Sequence, residues 1–429
     1  MNKRVKSGEF QLTERYSRYV LGVLFVVYIF NFVDRQILTV LLIPIQKEFG
    51  ATDQQMGLLT GLAFALFYTF AGIPLARIAD TRSRTMLITV GLTAWSALTA
   101  MSGFAHSFIQ LALARVGVGV GEAAATPAAH SLIADYFPPE RRSRALAIYS
   151  IGSNVGMLVG LSIGGIIAEH FGWRAAFFVV GAPGLLMAVI VKMTVREPPR
   201  GLSEANQMTP KSQTTLQVLR YMLSLSSFRN LCIAASFFAI SGYGMMTWTP
   251  AFFMRIHKVS IQEAGMILGV IFGFGGAVGA YIGGLTCDKL SIRDARWSMW
   301  ISAIGASAMI PFSLLFLFSS NATLAVVSFT PSLIIGSLYI APTFSMVQGL
   351  AKLTMRAMAA AILFFVLNLL GLGLGPYLVG LFSDLLKPAY GGDSLRYAML
   401  GVLPANVLAT IFYLQAARTL KTDLAKSQT

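Results

Sequence analysis

Apolar runs of about twenty residues recur along almost the whole of this sequence, broken only by short turns that carry Pro, Gly, Asp or Arg. A bilayer core about 30 Å thick takes about 20 residues of helix to cross. Inside it every backbone polar group must be bonded within its own segment, which favours helices. Twelve runs qualify: 18–43, 55–78, 85–104, 107–136, 144–168, 173–194, 227–254, 261–287, 297–318, 322–350, 357–383 and 395–417. The expected fold is therefore an all-α integral membrane protein.

Composition enters as a check. Of the 429 residues 55% are hydrophobic and only 12% charged, and mean hydropathy is +0.68. A soluble chain carries roughly twice that charge, so the prior of two or three soluble domains for this length gives way. The net charge of +15 would suggest a polyanion partner in a soluble protein. Here the basic residues sit in clusters between apolar runs, with no basic stripe or stacking module, and nucleic acid is not an expected partner.

Those clusters also orient the chain. If alternate turns are assigned to opposite sides, twenty-five of the 33 Lys and Arg fall on the side of the N-terminus. Six fall on the other: Lys47, Arg174, Arg255, Lys258, Lys387 and Arg396. The positive-inside bias places both termini in the cytoplasm and requires an even number of spans. No cleavable leader is expected, because the first apolar run is too long for one and carries internal charge. The lack of a long tail or large loop points to a bacterial inner membrane. Cys232 and Cys287 lie within apolar runs and read as small packing residues, not a disulfide.

The longest interior polar stretch, 195–226, is rich in Pro, Ser, Gln and Thr. It reads as a cytoplasmic linker, with room for a short surface helix, between bundles 1–194 and 227–429. The two parts share an ordered set of features at a nearly constant offset. Ala76-x-x-x-Asp80 with Arg82 and Arg84 is matched by Gly284-x-x-x-Asp288 with Lys289 and Arg293. Arg144-Ala145-x-Ala147 is matched by Arg356-Ala357-x-Ala359. Gly156, Gly160 and Gly164-Gly165 are matched by Gly371, Gly375-Pro376 and Gly380. Gly-rich spans and basic loops account for each match alone, but less well for the order. The set predicts a duplicated six-helix unit, as in transporters built from parallel repeats.

At these residues the chain resembles the major facilitator superfamily. Segment 72–84 is similar to its loop 2–3 motif, with Ala76, Thr81 and Ser83 as departures. The span-five glycines resemble its antiporter motif, with Leu161 in place of Pro. Asn31-Phe32-Val33-Asp34-Arg35 resembles a run of Spinster-type transporters. So does Arg115 through Glu122 to Pro127, followed by Asp135-Tyr136-Phe137. The resemblance implies two six-helix bundles and proton-linked movement of lipid-like substrates such as lysophospholipids or sphingoid phosphates. It also implies that Asp80, with Arg84, latches against the start of span eleven, Asp288 being the counterpart. Anion:cation symporters share part of the first run, so an organic-anion symporter of the same fold stays open, as does an uncoupled facilitator.

Away from span ends only Asp34, Arg35, Arg115 and Glu122 carry formal charge within the apolar runs. Each costs about 2.5–3.5 kcal/mol at a span centre. Ion pairs bury poorly compared with apolar packing, so a purely structural role explains them less well than a functional one. Arg115 and Glu122 lie seven residues apart, on one helical face about 10.5 Å apart along the axis, and Glu122 leans back toward Arg115. Asp34 and Arg35 point about 100° apart, so one can reach span four while the other faces a cavity. Asp34 and then Glu122 are the expected proton sites. Arg115 is the arginine that changes partner and, with Arg35, holds an anionic head group.

Spans seven to twelve offer aromatics instead, among them Trp248, with Asn368, as candidate substrate contacts, although ordinary packing explains any one of them equally well. His130 reads as a packing histidine more readily than a relay. Gly160-Leu161-Ser162-Ile163-Gly164 matches a nucleophile-elbow pattern but lies mid-span, so an intramembrane hydrolase is a distant alternative. A receptor of the same fold that binds without transporting is another. No metal or ATP motif stands out and no cofactor is expected. Asn321-Ala322-Thr323 is a sequon on the outer side. The expected function is secondary transport of a small amphipathic anionic molecule by a monomer in the bilayer, coupled to protons, with antiport favoured.

Overall fold

A computed structural model describes residues 13–203 and 214–428, and among them every regular element is helical. In chain order the helices are α1 (Glu14–Val40), α2 (Leu42–Phe49), α3 (Asp53–Thr81), α4 (Arg84–Ser102), α5 (Phe108–Tyr136) and α6 (Pro139–Thr194). Then follow α7 (Thr215–Ser224), α8 (Ser226–Ile256), α9 (Ile261–Ser291), α10 (Trp297–Leu317), α11 (Ala322–Leu350), α12 (356–390) and α13 (394–428).

Among the described residues ten helical stretches are long and apolar enough to cross a membrane, two of them with 56 and 69 residues. The 56-residue α6 folds back on itself. Gly172 breaks it at φ 80, ψ 164, a conformation essentially reserved for glycine. Arg141 near its start bonds Glu14, and Thr194 at its end accepts from Tyr16, so both ends lie against the start of α1. The 69-residue stretch is broken by the short turn Gly391–Asp393 between α12 and α13.

Polar residues punctuate the helices as the turn chemistry predicts. Thr52, Ser83, Ser107 and Ser260 each accept an N–H of the following helix through the side chain. Asn321 of the sequon does the same for α11. Cys232 and Cys287 are buried and unlinked. The outward surface stays apolar: Phe70, Ile109, Leu113 and Met193 are all more than half exposed. A soluble monomer rarely leaves such an apolar belt uncovered.

Three large apolar clusters, with a small fourth around Phe238 and Met309, organise the interior of the described residues. One is built from α1 and α3–α6, around Leu24, Trp95, Leu132 and Tyr149. A second is built from residues 218–424, around Phe228, Met299, Val347 and Tyr413. The third joins the two parts, with Ile37, Ile45, Met56 and Trp173 packed among Trp248, Phe252, Phe316 and Leu395. That joint lies at the end of the molecule remote from the starts of α1 and α8. Glycines set its closeness. A Cβ on Gly165 would meet the Ile261 carbonyl oxygen at 2.7 Å, and one on Gly61 that of Gly373 at 2.7 Å. α3 and α12 both carry π-helical turns here, Leu58–Leu62 and Leu367–Leu374, and α9 has one at Ile271–Gly275. Such turns concentrate at functional places in helices. The face holding the starts of α1 and α8, called the terminal face below, lacks this joint.

Candidate transport cavity

A cavity of about 900 Å³ lies between the two parts of the chain. Its lining comes from α1 (Phe32, Asp34, Arg35), α5 (Arg115), α6 (Ser150, Asn154), α8 (Phe238, Tyr243, Met246), α10 (Met309) and α11 (Phe329, Tyr339). Charge is confined to one corner. Arg35 Nε donates to Glu122 Oε2 at 2.6 Å. The Arg35 guanidinium also lies 4.5 Å from the Tyr68 ring centre, 5.1 Å from Phe64 and 5.2 Å from Phe32. That aromatic collar holds its planar fork by cation–π contact. Glu122 is wholly buried behind it, while Arg35 keeps a side-chain exposure of 17% toward the cavity.

Arg115 is paired differently. It is 3% exposed, donates through Nη1 to the backbone oxygen of Asp34 at 3.1 Å, and stacks 4.7 Å from the Phe177 ring. The Asp34 carboxyl is 1% exposed, and its Oδ1 makes no hydrogen bond. Arg115 Nε and Nη2, Glu122 Oε1 and both side-chain polar atoms of Asn31 likewise lack one. Thr99 stands beside Asp34 and Asn31 beside Glu122, without a well-formed hydrogen bond. Buried polar atoms are nearly always bonded in folded proteins, so this corner carries more bonding capacity than the arrangement uses.

The four charges that stand out in the sequence thus lie together, but the pairing differs from expectation. Glu122 turns to Arg35 rather than Arg115, because α1 passes close to α5 and a partner on the adjacent helix is nearer than one two turns away. Neither aromatic-wall candidate singled out in the second part lines the cavity. Trp248 is fully buried in the joint, its indole N–H on the Pro376 oxygen at 2.9 Å, where it ties α8 to α12. Asn368 lies in the π-helical turn of α12, outside the lining. The wall is made instead by Phe238, Tyr243, Met245, Met309 and Tyr339. His130 packs edge-on to Tyr149, ring centres 5.5 Å apart. Ser162 lies inside α6 against Gly269 of α9, away from any strand–turn–helix.

The loop residues also depart from expectation. Arg84 does not latch toward α12. It binds Asp135, the Glu197 carboxylate at 2.7 Å, the Ser131 hydroxyl at 3.0 Å and the Pro198 oxygen at 2.9 Å, all within the first part and the start of the linker that follows it. Asp80 and Asp288 are exposed and have no ion-pair or hydrogen-bond partner among the described residues. The physical reason is local competition: the carboxylates of Asp135 and Glu197 stand beside Arg84 and take up its guanidinium, while the joint between the parts lies at the opposite end. The start of the predicted linker is strapped down rather than loose. Arg200 donates to the Ala79 and Arg82 oxygens at 2.7 Å and Gly201 N–H to Asp135. The linker's middle, 204–213, lies outside the described residues, and α7 occupies 215–224.

Sequence reasoning missed a second charged centre, at the joint. Arg255 at the end of α8 forks onto Asp53 at the start of α3, Nη1 to Oδ2 at 2.7 Å and Nη2 to Oδ1 at 2.6 Å. Gln46 of α2 bonds both partners, and Ser383 of α12 donates to Asp53 at 2.6 Å. These residues sit at span ends, where charge is ordinary, and Arg255 served only as a topology count. The Thr52-x-x-Gln55 pattern is a signal that could have placed a helix start at Asp53, but nothing local marks its partner some two hundred residues away.

Residues 24–376 match the sequence profile of the Major Facilitator Superfamily, and the chain belongs to that family. It is 34% identical to an "MFS-type efflux pump" of Mycolicibacterium smegmatis, over 93% of this chain and 92% of that one. It is 27% identical to a sphingosine-1-phosphate transporter of Danio rerio, over 91% of this chain and 82% of that one. It is similar to the crystal structure of a bacterial homologue of the human lysosomal transporter Spinster, inward-facing and unoccupied. The TM-score is 0.89 at 31% identity, covering 96% of this chain and 99% of that one. This is a Spinster-like multi-pass membrane transporter of small molecules, in the company of transporters rather than enzymes.

Proposed function

We propose that the chain is a proton-coupled secondary transporter, with antiport favoured, that moves an amphipathic anionic molecule by alternating access. The supporting observation is the cavity's polarity: one corner with a caged, partly exposed Arg35 paired to a buried Glu122, facing a wall of Phe238, Tyr243, Met246 and Met309. An oxyanion head group suits the guanidinium fork, and an apolar tail suits the wall. The sphingosine-1-phosphate transporter among its relatives fits that substrate class.

On this reading α6 and the α12–α13 run each cross twice, giving twelve spans. The two six-helix bundles are 1–194 and 227–429, joined by the linker 195–226. The positive-inside count puts the terminal face in the cytoplasm, in a bacterial inner membrane, and the captured state is open to it. The Asp53–Arg255 fork belongs to the closed outer gate.

Coupling follows from competition for arginine. In a dry site an arginine beside a carboxylate favours its ionised form, and its withdrawal favours protonation. A substrate anion that draws Arg35 away from Glu122, or a shift of Arg115 onto the Asp34 carboxyl, ties proton binding to substrate and conformation. Asp34 is assigned as the first proton site and Glu122 as the second. The test is flux of labelled sphingosine-1-phosphate or a lysophospholipid in proteoliposomes with an imposed pH gradient. Gradient-driven flux supports the proposal. Flux that ignores the gradient returns the protein to facilitated diffusion.

A further inference from the structure

One carboxylate at the joint is not used by the Asp53–Arg255 fork. Asp384 of α12 reaches the first turn of α3, where Oδ1 accepts the Asp53 N–H at 3.1 Å and Oδ2 the Gln54 N–H at 2.7 Å. The first N–H groups of a helix have no partner within it. Here the capping box covers two of them, the Thr52 hydroxyl accepting the Gln55 N–H at 3.2 Å and the Gln55 side-chain oxygen accepting the Thr52 N–H at 2.9 Å. The two remaining donors are satisfied by a residue more than three hundred positions away. Gly380, one turn earlier on the same face of α12, packs directly on the Asp53 carbonyl with no room for a side chain. Gln54 fastens the same contact through Nε2 to the Tyr377 hydroxyl at 2.8 Å.

We infer that Asp384 is a gating latch: a carboxylate of the second part that caps the α3 helix of the first and so holds the outer gate shut. This rests on the alternating-access reading above and assigns a role to a residue outside the charged corner. α3 and α12 are the helices that meet at the joint, and their π-helical turns lie along the same contact. Opening the outer face must separate them, which breaks both bonds at once. Bonds from N–H to a carboxylate are stronger than neutral ones, and a helix N-terminus favours negative charge. Asp384 therefore adds a second hold beside the Arg255 fork, directed at backbone rather than at a side chain.

The experiment is double electron–electron resonance on the full chain in nanodiscs, with Cys232 and Cys287 replaced by alanine. One label pair, at Lys47 and Lys387, reports the outer face. The other, at Arg144 and Lys289, reports the terminal face. Asp384→Ala is expected to raise the ratio of outer-open to outer-closed molecules about tenfold. The first distance should lengthen and the second shorten in step. Asp384→Asn, which keeps one acceptor and the side-chain shape, should move the ratio less, and Asp384→Glu should restore it. If both distributions stay as in the unaltered chain while that chain still shifts with pH or substrate, the latch is wrong and alternating access stands. A lower melting temperature without a distance shift makes Asp384 merely structural and overturns the latch in the same way. Outer distances that stay short in every variant at every pH overturn the latch and the alternating-access reading together.

Discussion

The two ends of the molecule hold themselves together differently. At the outer end, beside internal pairs such as Glu48 with Arg174, a set of polar bonds crosses between the two parts of the chain: Asp53 with Arg255 and Ser383, and Asp384 with the start of α3. At the terminal end they stay within one part. Arg84 binds Asp135 and Glu197, Asp294 binds Arg296 and Lys421, and Asp423 accepts from Ser227. The first set ties one part to the other. The second makes each part rigid and leaves them free to separate. On the alternating-access reading, that contrast marks the terminal end as the open one and names the bonds that must break for the other to open.

The sharpest way to break the comparison is at the charged corner between the two ends. Glu122→Gln and Asp34→Asn should each lower gradient-driven flux by on the order of a hundredfold, since intramembrane carboxylates at such sites act as proton relays. Asp34→Asn that transports with unchanged pH dependence removes Asp34 from the coupling role. Next comes the outer end. Arg255→Ala leaves Asp53 without its counter-ion and should shift the outer-face distance distribution toward longer values by about tenfold in population, read by the same label pair. A distribution that does not move would mean the fork is no gate.

At the terminal end the effect is on stability, not on gating. Burial works against the ionised form of Glu197, yet the Thr85 N–H, the Arg84 guanidinium and the Ser83 hydroxyl hold its carboxyl below the usual carboxylate range. Its folded value is lowered, so the stabilisation is fully present above the ordinary glutamate range and is lost as pH falls through the folded value. Melting curves from pH 7 down to pH 3 should therefore show a steeper acid loss in the native chain than in Glu197→Gln. Equal slopes would take Glu197 out of the strap's energetics. The smallest effect is expected of Asp80→Ala. Replacing an exposed carboxylate without a partner in this state should change stability by no more than about half a kcal/mol, leaving the melting temperature essentially unmoved, although the carboxylate gains a role if the terminal face closes on it.

Much of this architecture can be read without coordinates. The length of the apolar runs fixes helices across a bilayer, because no other open structure bonds its backbone there. Lone intramembrane charges mark a site, because their cost demands a reason. Asp34, Arg35, Arg115 and Glu122 accordingly lie at one corner of the cavity. Trp248 was a poorer guide, because an aromatic on a span reads the same whether it faces a cavity or, as here, locks α8 to α12 through Pro376.

Sequence by itself determined the all-helical membrane class, the family and the four charges that gather. The class and the charges follow from local physics: segment length, backbone bonding and the cost of isolated charge; the family follows from the resemblance of its motifs. Only tertiary structure decided which arginine Glu122 takes, that Asp53 finds Arg255 and Asp384, and that Arg84 turns inward to Glu197 instead of outward to α12. Each of those choices depends on which helices approach within bonding distance, and that is set by how the two parts lean against each other, which no spacing along the chain encodes.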